Sequence, residues 1–193
     1  MSDLREKQLT TENVFDGVLL HVYRDEVELP NGHHTVREYI KHPGAAVMIP
    51  ITDDGQIIFE RQFRYPLDME LIELPAGKID PGEDALDSAK RELEEETGYV
   101  GETFIDLGLL HPCIGYSDEV IYIYLVKNLT FVEEQQDKDE FIETFEMSLG
   151  EALDAVRSGQ ITDAKTIISL FRAEKYLTGE WEESEASIYH NDE

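Results

Sequence analysis

The chain has 193 residues, a length typical of one domain with a small appendage, and 41% of them are apolar, enough for a globular core. Its 43 Asp and Glu against 16 Lys and Arg give a formal net charge of −27, which disfavours nucleic acid or an anionic membrane surface as a partner. A single cysteine, Cys113, excludes an internal disulfide framework and a Cys-based zinc cluster. The sequence also lacks an apolar run of membrane-spanning length and the apolar core of a signal peptide, so we expect a soluble, cytoplasmic protein.

The N-terminal residues predict antiparallel strands. Apolar positions alternate within 14–29, and a second extended run covers 35–40. Between them lies Asn31-Gly32, a strong hairpin signal because both residues tolerate positive φ. Pro43-Gly44 then interrupts the pattern. We therefore expect a small antiparallel β segment over residues 1–43.

The rest of the chain alternates strands with helices. Strands are predicted at 45–50, 56–62, 70–74, 103–110 and 120–128, and helices at 84–97, 148–158 and 163–177. Strands interrupted by single helices indicate an α+β or α/β sandwich, here over 44–181. The remaining residues, 182–193, are rich in acidic side chains, and we expect them to form a frayed tail.

The predicted helix at 84–97 carries the candidate chemistry. Glu92, Glu95 and Glu96 are spaced i, i+3 and i+4, so a helix places their carboxylates on one face. Each like-charge pair costs about 0.2–0.5 kcal/mol when it is left unpaired. A bound divalent cation reverses this cost, because Mg²⁺ and Mn²⁺ take oxygen ligands and carboxylates are the best that a protein offers. On spacing alone, a solvated acidic helix face stays an equal alternative.

A longer pattern surrounds these carboxylates. Residues 77–99 fit Gly-x5-Glu-x7-Arg-Glu-U-x-Glu-Glu-x-Gly-U, where U is apolar or aromatic, at every fixed position. Glu83 comes before or at the helix start, where the helix dipole favours a carboxylate, and Arg91 can hold one of the carboxylates by a bidentate pair. The pattern is the signature of the Nudix hydrolases, and the chain resembles that family.

The resemblance implies a Nudix α/β/α sandwich with a mixed sheet, and cleavage of a nucleoside diphosphate linked to another moiety. It implies metal ligation by Glu92 and Glu96, by Glu95 for a further ion or its water, and by the carbonyl of Ala76, with Glu83 in support. Mg²⁺ is the expected ion and Mn²⁺ the alternative. Such ions neutralise a diphosphate and generate hydroxide from water near neutral pH.

Further residues resemble the ADP-ribose and nucleoside-diphosphate-sugar pyrophosphatases. The similarity to that subgroup extends over roughly residues 14–181. It rests on the N-terminal β segment, on the strand ending at 60–65 and on the sequence at 73–77. In the subgroup the N-terminal segment packs across a two-fold axis and helps to build the partner's substrate pocket, which implies a homodimer. Arg64 matches a position that contacts phosphates or nucleotide, and Arg61 is grouped with it as substrate-binding. A guanidinium suits this task because its fork meets phosphate bidentately; a surface ion pair is the alternative.

A loop at 112–119 is similar to the subgroup's loop of Pro, Gly, Ser and Glu that borders the substrate. Gly115, Ser117 and Glu119 are its candidate substrate-binding residues, and Glu83 is added to them. A turn between two strands gives the same composition for structural reasons, so that alternative stays open.

The general base is expected in the acidic loop that precedes an "Ile-Glu" strand, where the subgroup commonly supplies it. Glu140 fits best, with Asp139 and Glu143 as alternatives. A carboxylate is adequate, because metal ions lower the pKa of the attacking water. Glu140, Glu95 and Arg91 form the expected catalytic set.

The resemblance therefore implies metal-dependent hydrolysis of the diphosphate in a nucleoside-diphosphate sugar, giving nucleoside monophosphate and sugar phosphate. ADP-ribose is the first choice of substrate, and GDP-mannose or another such sugar is the second. A hydrolase of dinucleoside polyphosphates, nucleoside triphosphates or capped RNA is the first alternative, which the N-terminal β segment and the acidic surface disfavour. A non-catalytic nucleotide-sensing regulator is the second, and the intact carboxylates of the motif count against it.

Overall fold

The computed structural model describes residues 3–133, 141–181 and 188–190. Its strands are β1 (Lys7–Asp16), β2 (His21–Glu28), β3 (His34–Lys41), β4 (Ala45–Pro50), β5 (Gln56–Arg64), β6 (Met69–Glu73), β7 (Ala76–Lys78), β8 (Tyr99–Leu110), β9 (Ile121–Phe131), β10 (Ile142–Ser148) and β11 (Ile188–His190). Its helices are α1 (Ala85–Thr97), α2 (Leu149–Ser158) and α3 (Ala164–Leu177), with a 3₁₀ turn at Tyr65–Leu67. The chain divides into an N-terminal unit, residues up to Pro43 with His111–Val120, and a C-terminal unit, Gly44–Leu110 with the residues from Ile121 onward.

The N-terminal unit is built on an antiparallel sheet of order β1-β2-β3. Its β2–β3 turn closes at Gly32, which adopts a φ of 82° and donates its N–H to the carbonyl of Leu29. β1 corrects the prediction of one extended run at 14–29, because it begins at Lys7 and is separated from β2 by residues 17–20. Every residue of β1 is exposed. Because neither face of this strand is buried, its sequence needs no alternation of apolar and polar residues, which is the pattern that predicts a strand.

The C-terminal unit contains two sheets. One has the order β10-β5-β6 and is antiparallel; the other has the order β11-β8-β9-β4-β7, in which β4 runs parallel to β9. β4 is buried along its whole length: Met48 packs in one apolar cluster with Leu93 of α1, and Val47 packs in another with Leu170 of α3. Helices therefore cover both faces of the mixed sheet. This arrangement confirms the predicted α/β fold with its N-terminal antiparallel segment.

Local signals set the helix bounds. α1 begins after Asp84, whose side chain accepts the N–H groups of two first-turn residues, and ends at Gly98, which has a φ of 72°. α2 begins with a capping box between Ser148 and Glu151. α3 begins after Asp163, whose side chain caps its first turn. The three predicted helices are confirmed, each starting one residue later because the predicted first residue is the cap.

Two short strands lie where the sequence predicts none. β7 pairs with β4 directly before the helix of the motif, and β11 pairs with β8 within the residues predicted as a tail. The rest of that tail, 182–187 and 191–193, lies outside the described residues. Within the part of the chain that the structure describes, no helix has the length and apolar character needed to cross a membrane.

Candidate metal centre and substrate site

Arg91 joins three of the predicted site carboxylates on one side of α1. Its Nε and Nη2 each donate to an oxygen of Glu83 at 3.0 Å, and its Nη1 donates to Glu92 Oε1 at 2.8 Å and to Glu95 Oε2 at 2.9 Å. Nη2 also donates to the carbonyl of Lys78 at 3.1 Å. These contacts use every N–H of the guanidinium. In this arrangement Arg91 is a positioning residue for the carboxylates.

The group around Arg91 keeps an excess of negative charge. The hydrogen bond with Glu83 is the main cause that raises the pKa of Arg91, and the same contact lowers the pKa of Glu83. One guanidinium nevertheless faces three carboxylates, so the helix surface stays attractive to a cation. Among the described residues, no three His, Cys, Asp or Glu side chains already surround one point.

The backbone of β7 receives the two carboxylates that are predicted as main metal ligands. A Cβ at Gly77 would overlap the carboxyl group of Glu92, so only glycine lets this carboxylate lie against the strand. Ala76, whose carbonyl is also a predicted ligand, donates its N–H to Glu96 Oε2 at 2.9 Å. The structure thus brings Glu92, Glu96 and Ala76 together, and their ligand roles stay predictions.

A buried glutamate lies beside Glu96. Glu60, on β5, is 0% exposed, and its two carboxylate oxygens find no N–H or hydroxyl donor among the described residues. Burial raises the pKa of Glu60 to about 7, although hydrogen bonding with Glu96 acts in the opposite direction. The site therefore contains one more carboxylate than the motif predicts.

Arg64 is held by a buried glutamate. Its Nε and Nη2 donate to the two oxygens of Glu73 at 2.6 and 2.7 Å, and Lys165 Nζ also donates to Glu73. Lys165 lies 3.0 Å from Asp163 Oδ2, and Asp163 caps the start of α3. Burial alone would raise the pKa of Glu73, but the hydrogen bonds and charges of Arg64 and Lys165 outweigh burial and lower the pKa to about 2. The predicted substrate arginine is therefore fixed by an ionic cluster.

β5 separates the two arginines that are predicted to bind substrate. Alternate residues of a strand point to opposite faces, so Arg61 and Arg64 lie on different sides of the sheet. Arg61 pairs with Glu143 of β10, and its Nη1 lies 3.6 Å from Glu70 Oε2. These three side chains line a cleft of about 350 Å³. The structure places Arg64 with the buried cluster and does not bring Arg61 to it.

The predicted substrate loop belongs to the N-terminal unit. Ser117 forms a parallel bridge with Ile40 at the end of β3, and Ser117 Oγ accepts the N–H of Glu119 at 3.2 Å. Gly115 and Ser117 line a cleft of about 270 Å³ together with residues of β3. The loop is therefore tied to β3, and its contact with a substrate stays a prediction.

The candidate general bases are only partly described. Glu140 and Asp139 lie outside the described residues. Glu143 is described on β10, where it is exposed and forms its ion pair with Arg61. The described residues therefore do not identify which of these three carboxylates is the general base.

Three residues of the site carry no sequence-based prediction: Glu60, Glu73 and Lys165. For Glu60 a signal existed, because a charged residue ends the apolar run 57–59 of a strand. For Glu73 and Lys165 no local signal was available, since 92 positions separate them in the sequence.

Both parts of the chain match known families. Residues 41–170 match the NUDIX domain, which is more than half of the chain. The chain belongs to the Nudix family. Residues 6–40 of this Nudix protein match the nucleoside diphosphate sugar hydrolase N-terminal domain.

Individual relatives extend the comparison. The Nudix chain is 41% identical over 172 residues to the ADP-ribose pyrophosphatase of Bacillus subtilis (strain 168), covering 88% of this chain and 93% of the relative. It is also 41% identical over 167 residues to the methanol dehydrogenase activator of Bacillus methanolicus, covering 86% and 90%. A crystal structure of an ADP compounds hydrolase superposes with a TM-score of 0.83 at 24% identity, covering 93% of this chain and 98% of that one, which supports the fold. The chain is accordingly a Nudix pyrophosphohydrolase.

Proposed function

We propose that this enzyme hydrolyses the diphosphate linkage of a nucleoside-diphosphate sugar in a metal-dependent reaction, with ADP-ribose as the first substrate and GDP-mannose as the second. The products are nucleoside monophosphate and sugar phosphate. One observation carries the proposal: the motif carboxylates meet the β7 backbone, with Glu92 in the space left by Gly77 and Glu96 bonded to the Ala76 N–H. This group of oxygen ligands lies in the same unit as a fixed arginine.

The residues present fit a hard divalent cation. Their donors are carboxylate and carbonyl oxygens, which Mg²⁺ and Mn²⁺ prefer, and the glycine cradle leaves room for Glu92 beside the strand. We assign the ion to Glu92, Glu96 and the carbonyl of Ala76, with Glu95 for a further ion. A bound ion supplies Lewis acidity, which neutralises the diphosphate and favours deprotonation of water.

Arg64 supplies the positive charge that an anionic substrate needs in this acidic protein. The net charge of −27 repels a diphosphate at long range, so binding depends on local cations. Glu73 holds one edge of the guanidinium, and the Arg64 side chain is 40% exposed, so a phosphate can approach the remaining N–H groups.

The reaction also needs a base and a boundary for the substrate. We propose Glu140 as the general base, with Asp139 and Glu143 as alternatives; the ion pair with Arg61 makes Glu143 the weakest of the three. We propose that the loop at 112–119 borders the substrate through Gly115, Ser117 and Glu119.

The experiment that tests the function is a substrate panel with product identification. The purified chain is incubated with ADP-ribose, GDP-mannose, ADP-glucose, UDP-glucose, NADH, nucleoside triphosphates and capped RNA, each with Mg²⁺, Mn²⁺ or EDTA. We expect AMP and ribose phosphate from ADP-ribose, and negligible turnover in EDTA. Rapid turnover of triphosphates or capped RNA with inert sugar nucleotides would refute the substrate class.

One relative bears the name methanol dehydrogenase activator, which describes an action on another protein. A wild-type chain that binds metal but turns over no member of the panel would favour a regulatory role of this kind. Metal-dependent release of phosphomonoesters separates the two functions directly.

We also propose that the protein is a cytoplasmic homodimer that associates through its N-terminal β segment. This segment exposes several apolar side chains, among them Val14, Phe15, Leu19 and Leu20. A small sheet of this kind is marginally stable alone and gains from being covered. Sedimentation at micromolar concentration is expected to give twice the mass of the 22.1 kDa chain, and a monomer would contradict the proposal.

A further inference from the structure

Glu60 is a buried carboxylate that no N–H or hydroxyl donor reaches among the described residues. It lies on β5 opposite Glu73 of β6 and Thr144 of β10. Its side chain is completely buried. Buried charges in proteins are normally paired, because an uncompensated one is strongly destabilising. In its ionised form Glu60 therefore needs a compensating positive charge.

The neighbouring cations supply only part of this compensation. Arg64 and Lys165 are near enough to act on Glu60 through space, but both donate their hydrogen bonds to Glu73. Glu96, a second carboxylate that acts on Glu60, is also buried and accepts the Ala76 N–H. The buried carboxylates of Glu60 and Glu96 thus lie together, while the neighbouring cations are hydrogen-bonded to a third carboxylate, that of Glu73.

We propose that Glu60 is a further carboxylate of the metal centre, placed beside Glu96 so that a bound divalent cation offsets the charge of both. This inference rests on the proposed function, which assigns Glu96 to the metal. Glu60 acts as a positioning residue: it adds negative charge behind Glu96 in a buried region, where charges are weakly screened and attract a cation most strongly.

The rival explanation is a Glu60 carboxyl that stays protonated whether or not metal is present. Such a group is neutral and has nearly the shape of a glutamine amide, so it contributes little to cation affinity. The two explanations therefore differ in the effect of Glu60→Gln on metal binding, which can be measured without substrate.

The experiment measures Mn²⁺ binding to the full-length chain by isothermal titration calorimetry at pH 8, and Tm in EDTA. For Glu60→Gln we expect the dissociation constant for Mn²⁺ to rise about 10–100-fold, the usual range for a residue that supports a metal ligand. We expect Tm in EDTA to stay at or above that of the wild type, because a buried like charge is removed. Glu146→Gln is the matched control: it removes a charge at an exposed position of β10 and should change neither quantity.

The outcomes separate this inference from the proposed function. A wild type that binds no Mn²⁺ would refute the metal-dependent function itself. A wild type that binds Mn²⁺ and a Glu60→Gln variant with the same affinity would refute only the role of Glu60. If Glu60→Gln does not fold, Glu60→Met provides an apolar side chain of similar length for this buried strand, and the same rise in dissociation constant is expected. Unchanged affinity in that variant would equally overturn the inference.

Discussion

Two clusters of basic side chains and carboxylates in the C-terminal unit combine the same kinds of group in different proportions. Around Arg91, one guanidinium serves three glutamates, and the cluster is partly exposed. Around Glu73, one buried carboxylate serves the two cations Arg64 and Lys165. The first cluster keeps an excess of negative charge, whereas in the second the two cations are balanced by Glu73 and by Asp163, which lies 3.0 Å from Lys165. A diphosphate that binds through a divalent cation needs both: carboxylates for the ion and a fixed cation for the phosphate oxygens.

The two clusters also differ in what they contribute to stability. Partly exposed ion pairs contribute about 0–1 kcal/mol, because water and salt screen them. Removing one partner of a buried pair costs about 3–5 kcal/mol, because a buried charge stays behind. Changes around Arg91 are therefore expected to act on metal binding and turnover, and changes around Glu73 on the free energy of unfolding.

Glu92→Gln and Glu96→Gln remove proposed ligands from the first cluster, and their effect is expected to be the largest. We expect kcat with ADP-ribose at saturating Mg²⁺ to fall about 10³-fold or more, because the ion no longer sits where charge develops. Neither variant is expected to have a lower Tm in EDTA, since each removes one of several like charges. A near-wild-type kcat in either variant would refute the metal assignment.

Glu73→Gln removes the centre of the second cluster. It leaves Arg64 and Lys165 facing a neutral amide, so we expect the free energy of unfolding at pH 7 to fall by about 3 kcal/mol, measured by urea denaturation. The matched control is Glu70→Gln, which neutralises an exposed glutamate on the same strand. Equal losses in the two variants would show that burial of the cluster is not what matters.

Glu73 also makes the stability of the second cluster sensitive to acid. The pKa of Glu73 falls to about 2 in the folded chain from an ordinary 4.5, so the folded state binds this proton more weakly than the unfolded state. Its stabilisation is therefore fully present above pH 4.5 and is lost as the pH falls towards 2, by about 3 kcal/mol in total. Wild type should lose more stability over this window than Glu73→Gln. Parallel stability curves would contradict the low pKa.

The first cluster could be predicted from the sequence because its members are local. Glu83, Arg91, Glu92 and Glu95 belong to one helix and the loop before it, so helical geometry brings them together. The sequence did not predict that every N–H of Arg91 would have an acceptor. One of these acceptors is the carbonyl of Lys78, whose position depends on where β7 lies.

The second cluster could not be predicted, because the fold alone joins its members. Glu73 and Lys165 are 92 positions apart, and neither β6 nor α3 signals the other in its sequence. The strand β1 was missed for another reason: its residues are exposed throughout, so no apolar pattern marks it. Long-range ion pairs and fully exposed strands are features that periodicity does not encode.

Arg91→Lys is expected to weaken the first cluster without removing its charge. A lysine ammonium has three donors and no planar fork, so it cannot hold Glu83, Glu92 and Glu95 together. We expect the Mg²⁺ concentration for half-maximal activity to rise about 10–100-fold, with kcat largely recovered at saturating metal. Recovery of kcat at saturating Mg²⁺ distinguishes Arg91→Lys from Glu92→Gln. An unchanged Mg²⁺ requirement would show that Arg91 does not organise the carboxylates.

Arg61→Met, compared with Arg64→Met, tests which arginine serves the substrate. Arg64 belongs to the buried cluster, and losing its charged hydrogen bonds to phosphate is expected to raise KM for ADP-ribose about 10–100-fold. Arg61 lies on the other face of β5 and pairs with exposed glutamates, so its replacement should change KM less and leave Tm nearly unchanged. Because Arg64→Met also removes a partner of Glu73, KM is measured well below the Tm of that variant. An equal rise in KM for both would make the cleft beside Glu143 part of the substrate site.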